Sequence, residues 1–316
     1  MKKWLWLICW LTAAASAYAE VDVLHYDLQL TFPSMTGGTL QGVCGVHFRY
    51  TQPQAERLTL ELLALNVESI TLWGKPVKFT HEGTDVRLSL PPLPPTADTA
   101  TVVVRYGGKP APPSWFGGVN FSEDYIYNLA CSIEAVPHNY GKALFPCVDN
   151  FTDKATYRFA VRVPPGKVAV CNGALQKTVP HNDGTATYVW RLRDPIATYL
   201  VGVAVGNYKA WTDVWRGQRG EIPLVVYAPP DRLEHVAGSF RHLKQCLTHF
   251  EKCFGPYEWE RVGYVAVPMK GGAMEHATNI AYPHLFIDGS TREERLWAHE
   301  LAHSWFGNLV TCATGG

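Results

Sequence analysis

The chain has 316 residues, with 28 Lys and Arg against 28 Asp and Glu, and so carries no formal net charge. Hydrophobic residues make up 47% and charged ones 18%, a composition that buries a sizeable core and excludes a disordered or low-complexity chain. The charge balance also excludes an electrostatic footprint for nucleic acid or an anionic membrane surface.

Met1-Lys2-Lys3 is a short basic start, Trp4 to Ala15 is apolar, and Ala17-Tyr18-Ala19 is an A-x-A cleavage pattern. Residues 1–19 therefore read as a signal peptide, and the chain is expected in the periplasm or outside the cell. The apolar run is too short, and its distal flank too small, for a membrane anchor. Seven cysteines follow the signal (44, 131, 147, 171, 246, 253 and 312), an odd number with no C-x-x-C spacing. One or two disulfides are compatible with export, and most of these residues read as small buried apolar groups.

From Val21 to Tyr208 the pattern is β. Leu24, Tyr26, Leu28, Leu30 and Phe32 alternate with polar residues, as on a half-buried strand. The same alternation recurs at residues 46–50, 86–90, 157–163 and 187–192, and Val102-Val103-Val104 is a short, fully apolar run. Turn residues separate these segments, among them Gly37-Gly38, Pro164-Pro165-Gly166 and Asn182-Asp183-Gly184. An antiparallel sandwich or saddle-like sheet assembly over residues 20–228 is expected.

The character changes after Ala228. Leu233 to Phe254 reads as one helix with a buried stripe of Phe240, Leu243, Leu247 and Phe250, and Arg261 to Pro268 as a strand. A Gly-rich segment and a second helix complete residues 229–316, the start of an α/β or mainly α domain.

That second helix carries His299-Glu300-Leu301-Ala302-His303, an H-E-x-x-H pattern. Histidines one helical turn apart project from one face and can share a Zn²⁺, while Glu300 lies beside them, placed for proton transfer rather than ligation. Ser290 and Glu293 fit a capping box, Leu296, Trp297, Leu301, Trp305 and Phe306 supply apolar surface, and Gly307-Asn308 is a stop. Catalytic zinc takes three protein ligands, so a third must come from elsewhere. Upstream, Gly271-Gly272-Ala273-Met274-Glu275-His276 follows the strand, with glycines that permit close backbone approach and a carboxylate at the strand end. A fixed carboxylate is what an exopeptidase needs to hold a protonated amino terminus, although a Gly-rich turn with one acid is commonly just a turn.

GGAMEH followed by HELAHSWFGNLVT resembles the gluzincin aminopeptidases, the family of aminopeptidase N and leukotriene hydrolase. Leu24 to Leu28 is similar to the family's opening strand. Leu144 to Asp149 followed by Lys154 to Tyr157 resembles its F-P-C-x-D … K-A-x-F segment. The resemblance implies a β domain followed by a thermolysin-like zinc peptidase domain, with His299 and His303 as ligands of one catalytic Zn²⁺ and Glu300 as general base. It further implies that Glu275 binds the substrate's free α-amine and that Gly271, Gly272, Ala273 and Met274 line the cleft. Glu134 is the nearest counterpart of an acidic or amide residue that the family's β domain contributes. His276 stands where the family has Asn and is read as a variation rather than a fourth ligand. The family's third ligand, a Glu about nineteen residues after the second His, and a further Tyr would fall beyond Gly316. The expectation is a zinc metallo-aminopeptidase acting on peptides with a free N-terminus, with residues 1–316 alone retaining zinc weakly and showing no appreciable turnover. The alternative is a non-catalytic member that binds peptides or proteins.

Overall fold

The computed structural model describes residues 21–51, 55–92, 97–113 and 115–313; the expected signal peptide lies outside them. The β region is built on an eight-stranded sheet whose centre is the strand Val21–Thr31. That strand pairs antiparallel with Leu40–Tyr50 on one side and parallel with Ala155–Val163 on the other. The sheet extends outward through Ala186–Ile196 and Ala174–Pro180 at one end, and through Thr99–Gly108, Asn66–Leu72 and Lys75–Pro76 at the other. The alternation seen in the sequence is the burial pattern of these strands, with one departure. A register shift between Val23 and His25 changes the phase, so that Val21 and Val23 join Tyr26, Leu28 and Leu30 in the core while Leu24 is only half-buried.

A four-stranded sheet (Val168–Cys171, Val203–Gly206, Ile126–Leu129, Gly118–Phe121) and a three-stranded one (Arg57–Glu61, Asp85–Ser89, Phe79–Glu82) accompany the large sheet. Aromatic residues fill the core beneath the central strand. Tyr26 stacks on Tyr157 with centroids 5.2 Å apart and meets Phe145 edge-on at 5.4 Å, which ties the F-P-C segment to the opening strand. Tyr26 also accepts a 3.0 Å hydrogen bond from the Val148 amide on its hydroxyl.

A further sheet carries the second region, in the order Lys209–Gly217, Gly220–Ala228, Val262–Val267, Ile280–Pro283. The first two strands form a hairpin, and the last two add in parallel to Gly220–Ala228. The position expected to separate the two regions, residue 228, falls inside this sheet, whose hydrogen bonding begins at Lys209. The strand Val262–Val267 is buried along its whole length, as befits an inner strand of a parallel arrangement.

The segment expected to be one helix from Leu233 to Phe254 is divided. A 3₁₀ turn (Leu233–His235) and a single α turn (Val236–Ser239) precede the helix Leu243–Phe254. The backbone leaves helical geometry at Phe240 (φ −107, ψ 20) and His242 (φ −97, ψ 5), and within the preceding α turn Gly238 packs so closely on residue 289 that a Cβ would lie 2.4 Å from the Gly289 carbonyl oxygen. Gly and Ser also weaken helix propensity at this point. All seven cysteines are free, with Cys44, Cys147 and Cys171 buried as apolar groups and Cys253 and Cys312 exposed. No helix among the described residues is long and apolar enough to cross a membrane.

Polar groups join the β sheets to the second region. The buried Arg261 guanidinium donates to the carbonyls of Cys171 (2.9 Å) and Thr278 (2.7 and 3.1 Å), and lies 4.8 Å from the Trp190 ring centroid. Arg261→Met removes these donors and leaves buried carbonyls unpaired. The expected cost is about 2–4 kcal/mol, read as a lowered urea midpoint; an unchanged midpoint would show that Arg261 does not secure this junction.

Candidate metal centre

The helix Glu294–Ala302 packs through Trp297 and Leu301, both buried. The Trp297 indole donates to the Ser239 carbonyl at 3.1 Å, and the Tyr264 hydroxyl donates to the Trp297 carbonyl at 3.0 Å. The expected capping box does not form. Ser290 instead turns its hydroxyl onto Asp288 at 2.7 Å, and Glu293 occupies the N-cap without a side-chain bond. The helix closes at Ala302, so His303 is its C-cap residue, and Gly307 reverses the chain at φ +129. Trp305 is buried, whereas Phe306 is largely exposed and meets Phe254 edge-on with centroids 5.3 Å apart.

His299 and His303 nevertheless converge. Their rings are nearly perpendicular, with Nε2 atoms 3.3 Å apart. The His303 Nδ1 lies 3.0 Å from the Phe306 carbonyl oxygen, which can only accept, so Nδ1 carries the proton and Nε2 presents its lone pair toward His299. Two nitrogens about 2.0–2.1 Å from a tetrahedral zinc are separated by about 3.3 Å, and this pair matches that edge.

Glu275 and Glu300 complete the cluster: one ligand atom from each lies within 4.8 Å of the other and of His303. Imidazole nitrogens with carboxylate oxygens form a donor set suited to zinc. Glu300 is buried, and burial followed by the charge of Glu275 pushes its carboxyl up to about 8. Met274 is fixed to Ala281 by two backbone bonds of 3.0 Å, which extends the edge of the Ile280–Pro283 strand and delivers Glu275 beside the helix. Ala273 is buried, while Gly271 and Gly272 are exposed, and Gly272 adopts φ +71. Gly271 joins Pro268, Met269, Trp115, Phe116 and Tyr127 around a cavity of about 250 Å³.

Glu134 lies on an exposed turn between Cys131 and Asn139, which pair as a bridge, and has no hydrogen bond to the cluster among the described residues. His276 does not face the cluster. Its Nε2 accepts the Ala130 amide at 3.4 Å, the Gly202 backbone lies against its ring, and burial drives its pKa down to about 3. It is a neutral residue of the junction between regions. Three residues at the site escaped sequence reasoning: Lys154, Tyr199 and Asn308. The side chains of Lys154 and Asn308 and the hydroxyl of Tyr199 bond to backbone carbonyls, contacts that leave no spacing signal.

A β region leading to a mixed sheet and an H-E-x-x-H helix defines a zinc peptidase. Residues 132–200 match the Peptidase M1 N-terminal domain and residues 239–314 the Peptidase family M1 domain. The leucyl aminopeptidase of Saccharolobus solfataricus is 26% identical over 302 residues, which cover 92% of this chain and 36% of that protein. Leucine aminopeptidase 2 of Candida albicans is 29% identical over 315 residues, covering 94% and 45%. The M1 zinc metallopeptidase of Deinococcus radiodurans superposes with a TM-score of 0.81 at 27% identity, over 93% of this chain and 66% of that one. The chain thus spans between a third and a half of these curated relatives. It belongs to the M1 family of gluzincin metallopeptidases, whose catalytic ion is zinc, and corresponds to the N-terminal portion of its members.

The carboxylates give the metal-free chain a defined pH dependence. Glu300, raised from 4.5 to about 8, and Asp153, raised by burial from 3.8 to about 7, both favour the protonated folded state. Their stabilising contribution is complete below the ordinary carboxylate range and is lost as pH rises through 7 and 8. With chelator present, the urea midpoint should fall across that window. Glu300→Gln should flatten the upper part and Asp153→Asn the lower; an unaltered profile in both would refute the assignment.

Proposed function

We propose that the protein is a zinc-dependent aminopeptidase that releases N-terminal residues from peptides. The observation that carries this reading is the convergence of Glu275, Glu300 and His303 within 4.8 Å, beside the His299–His303 pair. Zinc, when bound, supplies a Lewis acid that polarises the scissile carbonyl and acidifies the attacking water. His299 and His303 would hold it through Nε2. Glu300 would take the water's proton and pass it to the leaving amine, a transfer for which its buried position excludes competing solvent. A cation beside Glu300 favours its ionised form and so readies it as a base.

Glu275 would accept hydrogen bonds from the α-ammonium, which sets the cut one residue from the end. An internal peptide would offer nothing to its charge. A related M1 zinc metallopeptidase from Deinococcus radiodurans, in a mutant form, is described with the substrate Tyr-Ser-Ala bound, which supports short peptides as the substrate class. Export through residues 1–19 belongs to this reading and rests on the charge, apolar run and A-x-A pattern of that segment.

In the complete protein, Glu300→Gln should lower kcat by about 10²–10⁴-fold with zinc content retained, measured by peptide turnover and metal analysis. Retained turnover would remove Glu300 from proton transfer; an active site that never turns over in the parent protein would favour the non-catalytic binding member instead. Glu275→Ala should abolish the preference for free over N-acetylated peptides more than it lowers zinc content. Equal loss of both would make Glu275 a metal ligand rather than the amine acceptor.

A further inference from the structure

The residues 306–310 follow the metal-binding helix and touch both sides of the site. The Phe306 carbonyl accepts the His303 Nδ1 proton at 3.0 Å. Two residues later, the buried Asn308 donates its Nδ2 to the backbone carbonyl of Glu275 at 3.0 Å. The loop's own bonds run from Gly307 N to Val310 O (2.8 Å) and from Asn308 N to His303 O (3.0 Å). Gly307 is required at its position twice over. Its φ is +129, and a Cβ would lie 3.0 Å from His303 Nδ1.

The β region holds this loop from outside. The Lys154 ammonium donates to the carbonyls of Asn308 (3.2 Å) and Leu309 (3.0 Å). The Tyr199 hydroxyl donates to the Gly307 carbonyl at 2.9 Å, which also accepts the Thr311 hydroxyl at 2.6 Å. Tyr199 is buried and its ring meets Phe151 edge-on at 5.1 Å, so its hydroxyl is held by packing. Lys154 directly precedes the strand Ala155–Val163 of the large sheet, so its backbone starts from a rigid element.

We infer that Lys154 and Tyr199 are positioning residues for the metal centre, acting through the 306–310 loop on the orientation of the His303 ring and on the placement of Glu275. The inference rests on reading His303 as a ligand and Glu275 as the amine acceptor. A ligand imidazole is aimed by whatever accepts its other N–H, and here that acceptor is a loop carbonyl. Its position is set partly from a different structural region, 149 residues away in sequence from His303 to Lys154.

The test uses the complete protein with Lys154→Met, Tyr199→Phe and the pair, together with Lys154→Arg, which keeps donors for the two carbonyls. Each single change should speed zinc release to a chromophoric chelator about tenfold, and the pair by up to about a hundredfold. KM for peptides with a free amine should rise, and Lys154→Arg should recover much of the loss. In parallel, ¹⁵N spectra of ring-labelled histidine on metal-free protein at alkaline pH read the His303 tautomer. The parent should hold the Nδ1–H form, and the variants should admit the Nε2–H form. An unchanged tautomer with unchanged zinc release overturns the inference, as does a lowered melting temperature with both readouts intact. A parent protein that binds no zinc overturns the zinc aminopeptidase reading and the inference with it, whereas a zinc-binding parent whose variants change neither readout overturns the inference alone. If Lys154→Met does not fold, Tyr199→Phe, which removes one oxygen, gives the decision alone.

Discussion

The site depends on how residues 276–279 are seated between the two regions. This stretch is buried without regular secondary structure, and beyond the Asn279 amide, which bonds the His276 carbonyl at 3.0 Å, its polar groups need partners from outside. The β region supplies them. Asn172 donates to the Ala277 carbonyl at 2.6 Å, the Gly173 amide donates to the Thr278 hydroxyl at 2.7 Å, and the Ala277 amide donates to the Leu200 carbonyl at 3.2 Å. Asn279 reaches back to the Gly202 carbonyl at 3.2 Å, and Arg261 covers Thr278. Thr278 adopts φ +58, a conformation costly for a β-branched residue and sustained here by this dense bonding.

Glu275 is the residue immediately before that seat. Its backbone is therefore held on one side by the junction, on the other by the Met274–Ala281 pairing, and at its carbonyl by Asn308. A carboxylate on a Gly-rich turn would ordinarily swing freely. Here its backbone is fixed near Glu300, where burial and then the charge of Glu275 raise the proton affinity of Glu300. The pairing of a carboxylate on an anchored backbone with a buried one beside two converging imidazoles makes the cluster chemically specific.

The architecture also explains why a β region accompanies a peptidase helix. Helix Glu294–Ala302 ends at the very residue that supplies the second imidazole, so helical geometry alone does not orient His303. The orientation comes from a carbonyl in the following turn, and that turn leans on Tyr199 and Lys154. His276 plays a related part on the far side. Its uncharged ring fills the space that Gly202 leaves open and caps the Ala130 amide.

Periodicity in the sequence was enough for the central strands, because a half-buried strand must alternate and Tyr26, Leu28 and Leu30 do so. It also placed His299 and His303 on one side of the helix end, because residues four apart share a helical face, while the turn after the helix aims the second ring. It misplaced what neighbours decide. The bulge at Val23–His25 and the pairing of Gly220–Ala228 with Val262–Val267 depend on contacts with distant chain, and the uncapped start at Glu293 on the competition of Asp288 for the Ser290 hydroxyl. The same holds within the site. Residue types determined that a metal can be held and a proton moved, since ligand and base chemistry reside in single side chains. Tertiary structure alone decided that His276 is a spacer and that Lys154, Tyr199 and Asn308 belong to the site, because their contacts to the loop and to Glu275 run to backbone carbonyls whose positions no local pattern encodes.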